Sequence, residues 1–196
     1  MERVEEHREP LIWALLNPGV SLTYKALDSV DTYTILEKED EFVKVRKEEV
    51  YNIEKEINYL LFSKKREIEC KNIQTFKIDK YGKISNFQHI HKENEAITST
   101  VGYKPTYTDL WINPTGLRRG DIVRINDILA TVVGAGEMEG REVISLLYPK
   151  KVITDLYEFD FSVIYNYDMR TGLLLETKDI KGRTIRRLES MSLERL

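Results

Sequence analysis

The chain has a single cysteine, Cys70, in 196 residues, so no intrachain disulfide can staple it. A fold of this length needs no staple, because about 70% of the surface its unfolded chain exposes can be buried. One cysteine rules out a disulfide scaffold and leaves the compartment open. Long hydrophobic runs are also missing. The longest covers residues 11–16, six residues, against the ~20 that carry a helix across a bilayer. Arg3 and Arg8 precede it, but acidic residues are mixed in and no small-residue cleavage site follows. That argues against a signal peptide in this stretch. Charge of one sign is lacking: 30 basic and 33 acidic side chains leave a net charge of −3. Such a balance gives no global attraction to nucleic acid or anionic lipid, and no nucleic-acid partner is expected. Glutamine is nearly absent, with only Gln74 and Gln88, while Lys, Arg and Glu abound. That composition resembles thermophile usage.

What is present is alternation. In residues 157–167, Tyr157, Phe159, Phe161, Val163, Tyr165 and Tyr167 take every second position. Strand side chains alternate between faces, so these groups share one side of an extended segment of roughly 35 Å. The run breaks at Asp168-Met169-Arg170-Thr171-Gly172 and returns through Leu173, Leu174 and Leu175, as a tight hairpin would.

The rest of the chain reads as short strands joined by turns. Residues 4–16 carry Val4, Leu11, Ile12, Leu15 and Leu16 at helical spacing and stop at Asn17-Pro18-Gly19, which predicts a short helix laid over the sheet. Strands are expected at 20–26, 32–38, 42–47, 65–70, 73–79 and 83–91. Residues 47–63 fit a helical and a strand face almost equally, and their tyrosines and β-branched residues tip the reading to strand. Residues 92–106 are polar, with Gly102 and Pro105, and suggest a long connection or a boundary between halves. Further strands are expected at 122–125, 128–133, 143–148, 152–167, 173–177 and 184–188, with a loop at 134–140. The expected fold is mainly β: one domain over residues 1–196, a single large curved antiparallel meander closed or half-closed into a barrel, with a short N-terminal helix.

Within residues 110–176, Trp111-Ile112-x-Pro114, then Leu117-x-x-Gly120-Asp121-x-Val123, then Tyr165-x-Tyr167-Asp168-x-x-Thr171-Gly172-x-Leu174 form an ordered pattern. It resembles uncharacterised archaeal β-domains that are similar to lipoprotein-carrier proteins. The resemblance implies a curved sheet wrapped around a helical plug, with an apolar concavity that holds an acyl chain. It supplies no lipid-contact motif.

Three constellations bear on chemistry. His89, His91 and Glu93 stand at i, i+2 and i+4, so a strand would aim them the same way, and imidazole with carboxylate suits zinc. Gly134, Gly136 and Gly140 lie among glutamates that would repel phosphate, so they mark a loop and not a phosphate cradle. Lys181, Arg183, Arg186 and Arg187 read as a solvated edge strand, because no stacking aromatics interleave them. No nucleophile elbow occurs, Cys70 has no histidine near it in sequence, and no cofactor motif is present. The expected role is therefore non-enzymatic: binding of a lipid or other apolar or amphipathic small molecule in the concave face, lined by Trp13, Phe161, Tyr165 and Leu175. The alternative is a structural or interaction domain with a filled core that self-associates through an edge strand. A metal-dependent enzyme built on His89, His91 and Glu93 ranks third.

Overall fold

The computed structural model describes residues 11–58, 63–102, 104–125, 128–149, 151–153, 158–160 and 162–193. Its fourteen described strands include twelve that form one open, curved, wholly antiparallel sheet. Numbered in chain order, these are β1 (Val20–Ala26), β2 (Ser29–Lys38), β3 (Phe42–Asn58), β4 (Ser63–Asp79), β5 (Ile84–Glu93), β6 (Ala96–Ser99), β7 (Ile122–Ile125), β8 (Ile128–Met138), β9 (Arg141–Tyr148), β12 (Val163–Asp168), β13 (Leu174–Asp179) and β14 (Thr184–Leu193). The pair β10 (Lys151–Ile153) and β11 (Glu158–Asp160) forms a separate hairpin. Across the large sheet the order is β6-β5-β4-β3-β2-β1-β14-β13-β12-β9-β8-β7. Two meanders thus meet at the centre, where β1 pairs with β14 from Val20↔Leu193 to Ala26↔Arg186.

The mainly β fold with a short helix is as the alternation predicts, but several elements differ in extent. Residues 42–58 are one seventeen-residue strand, and residues 63–79 are another. No Gly or Pro interrupts either stretch, so the 65–70 and 73–79 segments join into one ladder with β3. The expected connection 92–106 contains edge strand β6. The expected loop at 134–140 is mostly strand: β8 runs through a bulge near Gly134 to Met138 and turns at Glu139-Gly140, both at positive φ. That is the geometry of a two-residue hairpin turn.

The long aromatic strand is broken. β12 pairs with β9 only from Val163↔Tyr148 onward. The next residue of β9 would be Pro149, which has no N–H to give a ladder. The chain before Val163 leaves the sheet there, and Glu158–Asp160 pairs with β10 instead. Tyr157 and Phe161 lie outside the described residues.

The helix α1 covers Leu11–Leu15, and its predicted first turns fall on residues 4–10, outside the described residues. Ile12, Trp13 and Leu16 are buried while Leu11 and Leu15 are about half exposed. One end is tied to the β12–β13 turn by Ile12 N donating to Thr171 O at 3.0 Å, the other to β2 by Gly19 N donating to Ile35 O at 2.9 Å.

A strap formed by residues 104–114 crosses the inner face of the sheet. At one end Thr108 N donates to Gly82 O and Ile84 N to Thr106 O, both 2.7 Å. At the other, Leu174 N donates to Leu110 O at 2.8 Å and Ile112 N to Gly172 O at 3.0 Å. The strap therefore joins the β4–β5 turn of one meander to the β12–β13 turn of the other. Trp111 on the strap meets Trp13 on the helix edge to face, with centroids 6.3 Å apart. Together they cover a core of Leu22, Tyr24, Ile35, Val45, Ile78, Leu146, Tyr167 and Leu174, all from the inner face.

Candidate functional site

The inner face changes character along its long strands. On β3, Val43 and Val45 are fully buried, and the next residues on that face are Lys47, Glu49 and Tyr51. On β4 the same face runs Ile78, Phe76, then Gln74, Asn72 and Cys70, each opposite its β3 counterpart. The register of β2 brings Asp31 opposite Glu49 and Tyr33 opposite Lys47. An apolar half thus gives way to a polar half along one line, and the strap crosses near that line.

A cleft of about 220 Å³ opens there. Phe76, Ile84, Pro105 and the ring of Tyr107 supply apolar wall; Lys47, Gln74, Thr108, Asp109 and Arg186 supply polar lining, and Tyr33 completes it. Gln74 has no side-chain hydrogen-bond partner among the described residues, so its amide donors and acceptor face the cleft unspent.

Arg186 is the hub of the cleft's floor. Its Nη2 donates to Asp109 Oδ2 at 2.8 Å, its Nη1 lies 3.8 Å from Asp31 Oδ2, and its guanidinium sits 4.9 Å over the Tyr24 ring. Lys47 reaches Asp31 Oδ2 at 3.1 Å and lies over the Tyr33 ring. Burial opposes both positive charges, but the facing Asp109 and tyrosines for Arg186, and Tyr33 and Asp31 for Lys47, outweigh it and hold both cations protonated. Two cations and two carboxylates balance. Burial pushes the phenols of Tyr24, Tyr33, Tyr165 and Tyr167 upward, so they stay neutral donors. Tyr24 donates to Leu174 O and Tyr167 to Asp109 O, each at 2.9 Å.

Two positions along β4 from Gln74, a second group of side chains converges. Cys70 pairs with Glu93 and Asn72 with His91 across β4 and β5. One donor atom each from Cys70, His91 and Glu93 lies within 4.8 Å of the others. Lys55 Nζ donates to Glu93 Oε2 at 2.6 Å, which holds that carboxyl below the usual range. Burial and the Glu93 carboxylate push the Cys70 thiol up.

The residues singled out in the sequence are placed as follows. Trp13 is buried against Trp111 and away from the cleft. Tyr165 is buried between Tyr148 and Tyr167, and Leu175 is buried outside the main core cluster; neither lines the cleft. Phe161 lies outside the described residues. His89, His91 and Glu93 share a face of β5, but His89 Nε2 sits 3.4 Å from Asn72 Oδ1, on the far side of Asn72 from Glu93, and Cys70 takes its place in the cluster. The basic group on β14 is not an edge: β14 is central, and Arg186 is buried. No single feature of the Arg186-Arg187 pair in the sequence distinguishes the buried cation from the exposed one. The alternation Ile185–Leu188 gives only a hint of sheet. Compared with known proteins, the chain matches no family model, no curated protein and no solved structure.

Proposed function

We propose that this protein is a non-enzymatic binding domain whose cleft takes a small amphipathic ligand. The observation that carries the reading is the change of polarity along the inner face at the cleft itself. A ligand's apolar body would lie on Phe76, Ile84 and Pro105, and its polar head would face Gln74, Lys47 and Arg186. At about 220 Å³ the cleft is smaller than the roughly 300–1,000 Å³ of sites that enclose drug-sized molecules. The ligand is accordingly a short-chain or single-ring amphiphile or the end of a longer one. Side chains of the strap and helix pack into the apolar half of the inner face, so the ligand proposed is smaller than the acyl chain that the carrier-like pattern implies. Within that pattern Trp111 bridges to Leu173 and Ile112 N donates to Gly172 O, contacts that hold the strap.

Native mass spectrometry compared with the denatured mass, followed by calorimetric titration with short- and medium-chain carboxylates and amines, tests the reading. A retained adduct or saturable uptake is expected, weakened about tenfold by Gln74→Leu, the loss of one net hydrogen bond. A clean apo mass with no uptake of any of these probes overturns it.

A second reading is favoured by the sheet's ends. Edge strands β6 and β7 each expose an isoleucine, Ile97 and Ile122, at 62%. Edges of this kind pair with other strands, so a scaffold that self-associates there would show a concentration-dependent sedimentation coefficient, and a constant monomer removes it.

A further inference from the structure

The cluster on β4 and β5 is distinct from the cleft, and its hydrogen bonds fix its chemistry. Asn72 Nδ2 donates to Glu49 Oε2 at 2.9 Å, and an ionised carboxylate can only accept. That sets the orientation of the Asn72 amide, so Asn72 Oδ1 faces His91 Nδ1 at 2.7 Å. Nδ1 must then donate, and a neutral His91 presents the bare lone pair of Nε2. Nε2 lies 3.8 Å from Glu93 Oε1, and Cys70 Sγ lies within 4.8 Å of a ligand atom of each of these two residues. Three acceptor atoms converge, and the one proton among them is on a thiol, a weak donor. Lys55 pairs with the other carboxylate oxygen, Oε2, which keeps Glu93 ionised and leaves Oε1 facing His91.

The geometry points to a binding site for a zinc-class divalent ion held by Cys70 Sγ, His91 Nε2 and Glu93 Oε1. Zinc takes thiolate sulfur at about 2.3 Å and imidazole or carboxylate at about 2.0–2.2 Å, which puts donor atoms about 3.3–3.7 Å apart. The 3.8 Å between Nε2 and Oε1 is already close to that edge. On binding, the thiol gives its proton to solvent and the sulfur bonds the metal. Both other ligands have the outer partners that metal ligands require, Asn72 on His91 and Lys55 on Glu93. The ring of Tyr51 stacks on His91 at 6.5 Å. His91 and Glu93 are 19% and 26% exposed while Cys70 is fully buried. The fourth position thus opens to water, as in three-ligand zinc centres.

Titration of the full chain with Co²⁺, followed by Zn²⁺ displacement and elemental analysis, is the test. One equivalent should bind and produce thiolate-to-cobalt charge-transfer absorption in the near ultraviolet, which adventitious surface binding lacks. Asn72→Leu should keep the band and weaken affinity about 10–100-fold. His91→Ala should weaken it at least as much, Cys70→Ser should abolish the band, and His89→Ala should change neither. No thiolate band in the wild-type protein overturns the site. So does a band whose affinity is unchanged in His91→Ala. The wild-type spectrum and His91→Ala decide the matter even if Cys70→Ser does not fold.

Discussion

Removing the charge of Arg186 while keeping its stem, as in Arg186→Met, would leave the Asp109 carboxylate facing the cleft without its cation. Asp31 would keep Lys47 at 3.1 Å. Arg186 is 13% exposed and Asp109 18%, so solvent compensates little. Deleting one member of such a pair costs about 3–5 kcal/mol, because the other charge is left desolvated and unmatched. Removing both charges avoids that penalty. Arg186→Met with Asp109→Asn should therefore be more stable than Arg186→Met alone by roughly 2 kcal/mol, a coupling within the range for contacting residues. The two tryptophans, Trp13 on the helix and Trp111 on the strap, give a fluorescence signal located where the strap docks. Equilibrium urea unfolding read by this signal and by circular dichroism measures the effect. With a slope of about 3 kcal/mol/M, the single substitution should lower the midpoint by about 1–1.7 M. A midpoint within about 0.3 M of the parent protein, or a double variant no better than the single one, refutes the argument that this buried pair ties the strap to the sheet.

Two further outcomes follow from geometry and burial. Gly172 has φ +79°, and a Cβ there would collide with the Ile112 carbonyl oxygen, whereas Gly116 at φ +76° has open space around it. Gly172→Ala should thus cost about 3 kcal/mol or more and Gly116→Ala about 1 kcal/mol, and equal melting shifts would show that the strap does not press on that turn. The phenols of Tyr24, Tyr33, Tyr165 and Tyr167 are raised above the ordinary value, so the folded state resists ionisation that the unfolded chain allows. Their contribution to stability is full below about pH 10 and is lost as pH rises beyond it. An alkaline titration followed by phenolate absorbance should fall at least four short of the eleven tyrosines until the protein unfolds, and a full count before unfolding would contradict their burial.

The sheet was legible because alternation and turn residues both survive in a single chain of letters. Val20, Leu22 and Tyr24 alternate and are all buried, and Asp79-Lys80-Tyr81-Gly82 is the turn it reads as. Sites depend on register, and register was hidden. Counting back from the β4–β5 turn, Ile78↔Ile84 and Lys77↔Ser85 would set Cys70 opposite Lys92, on the face away from His91 and Glu93. A bulge at Asn86 and Phe87, with Asn86 at φ +51°, sits opposite Phe76 and shifts the ladder by one residue, so Cys70 meets Glu93. A one-residue slip exchanges faces, and that slip decides whether the thiol joins the imidazole. Arg186 was missed for a related reason. Its strand borders β1, the first of the described strands, and no local pattern announces a partner that far away in sequence. The break before Val163 was readable in principle from Pro149, but only once β9 was known to be the neighbour.

Where β1 meets β14 there is also a consequence for synthesis. Of the fourteen described strands, the two that close the middle of the sheet are the first and the last to leave the ribosome. Until β14 emerges, the early meander waits with Val20, Leu22 and Tyr24 along an open edge that any stray extended segment could occupy. The chain is open to wrong pairing until β14 is available, and its folding is slow because the decisive seam joins residues remote in sequence.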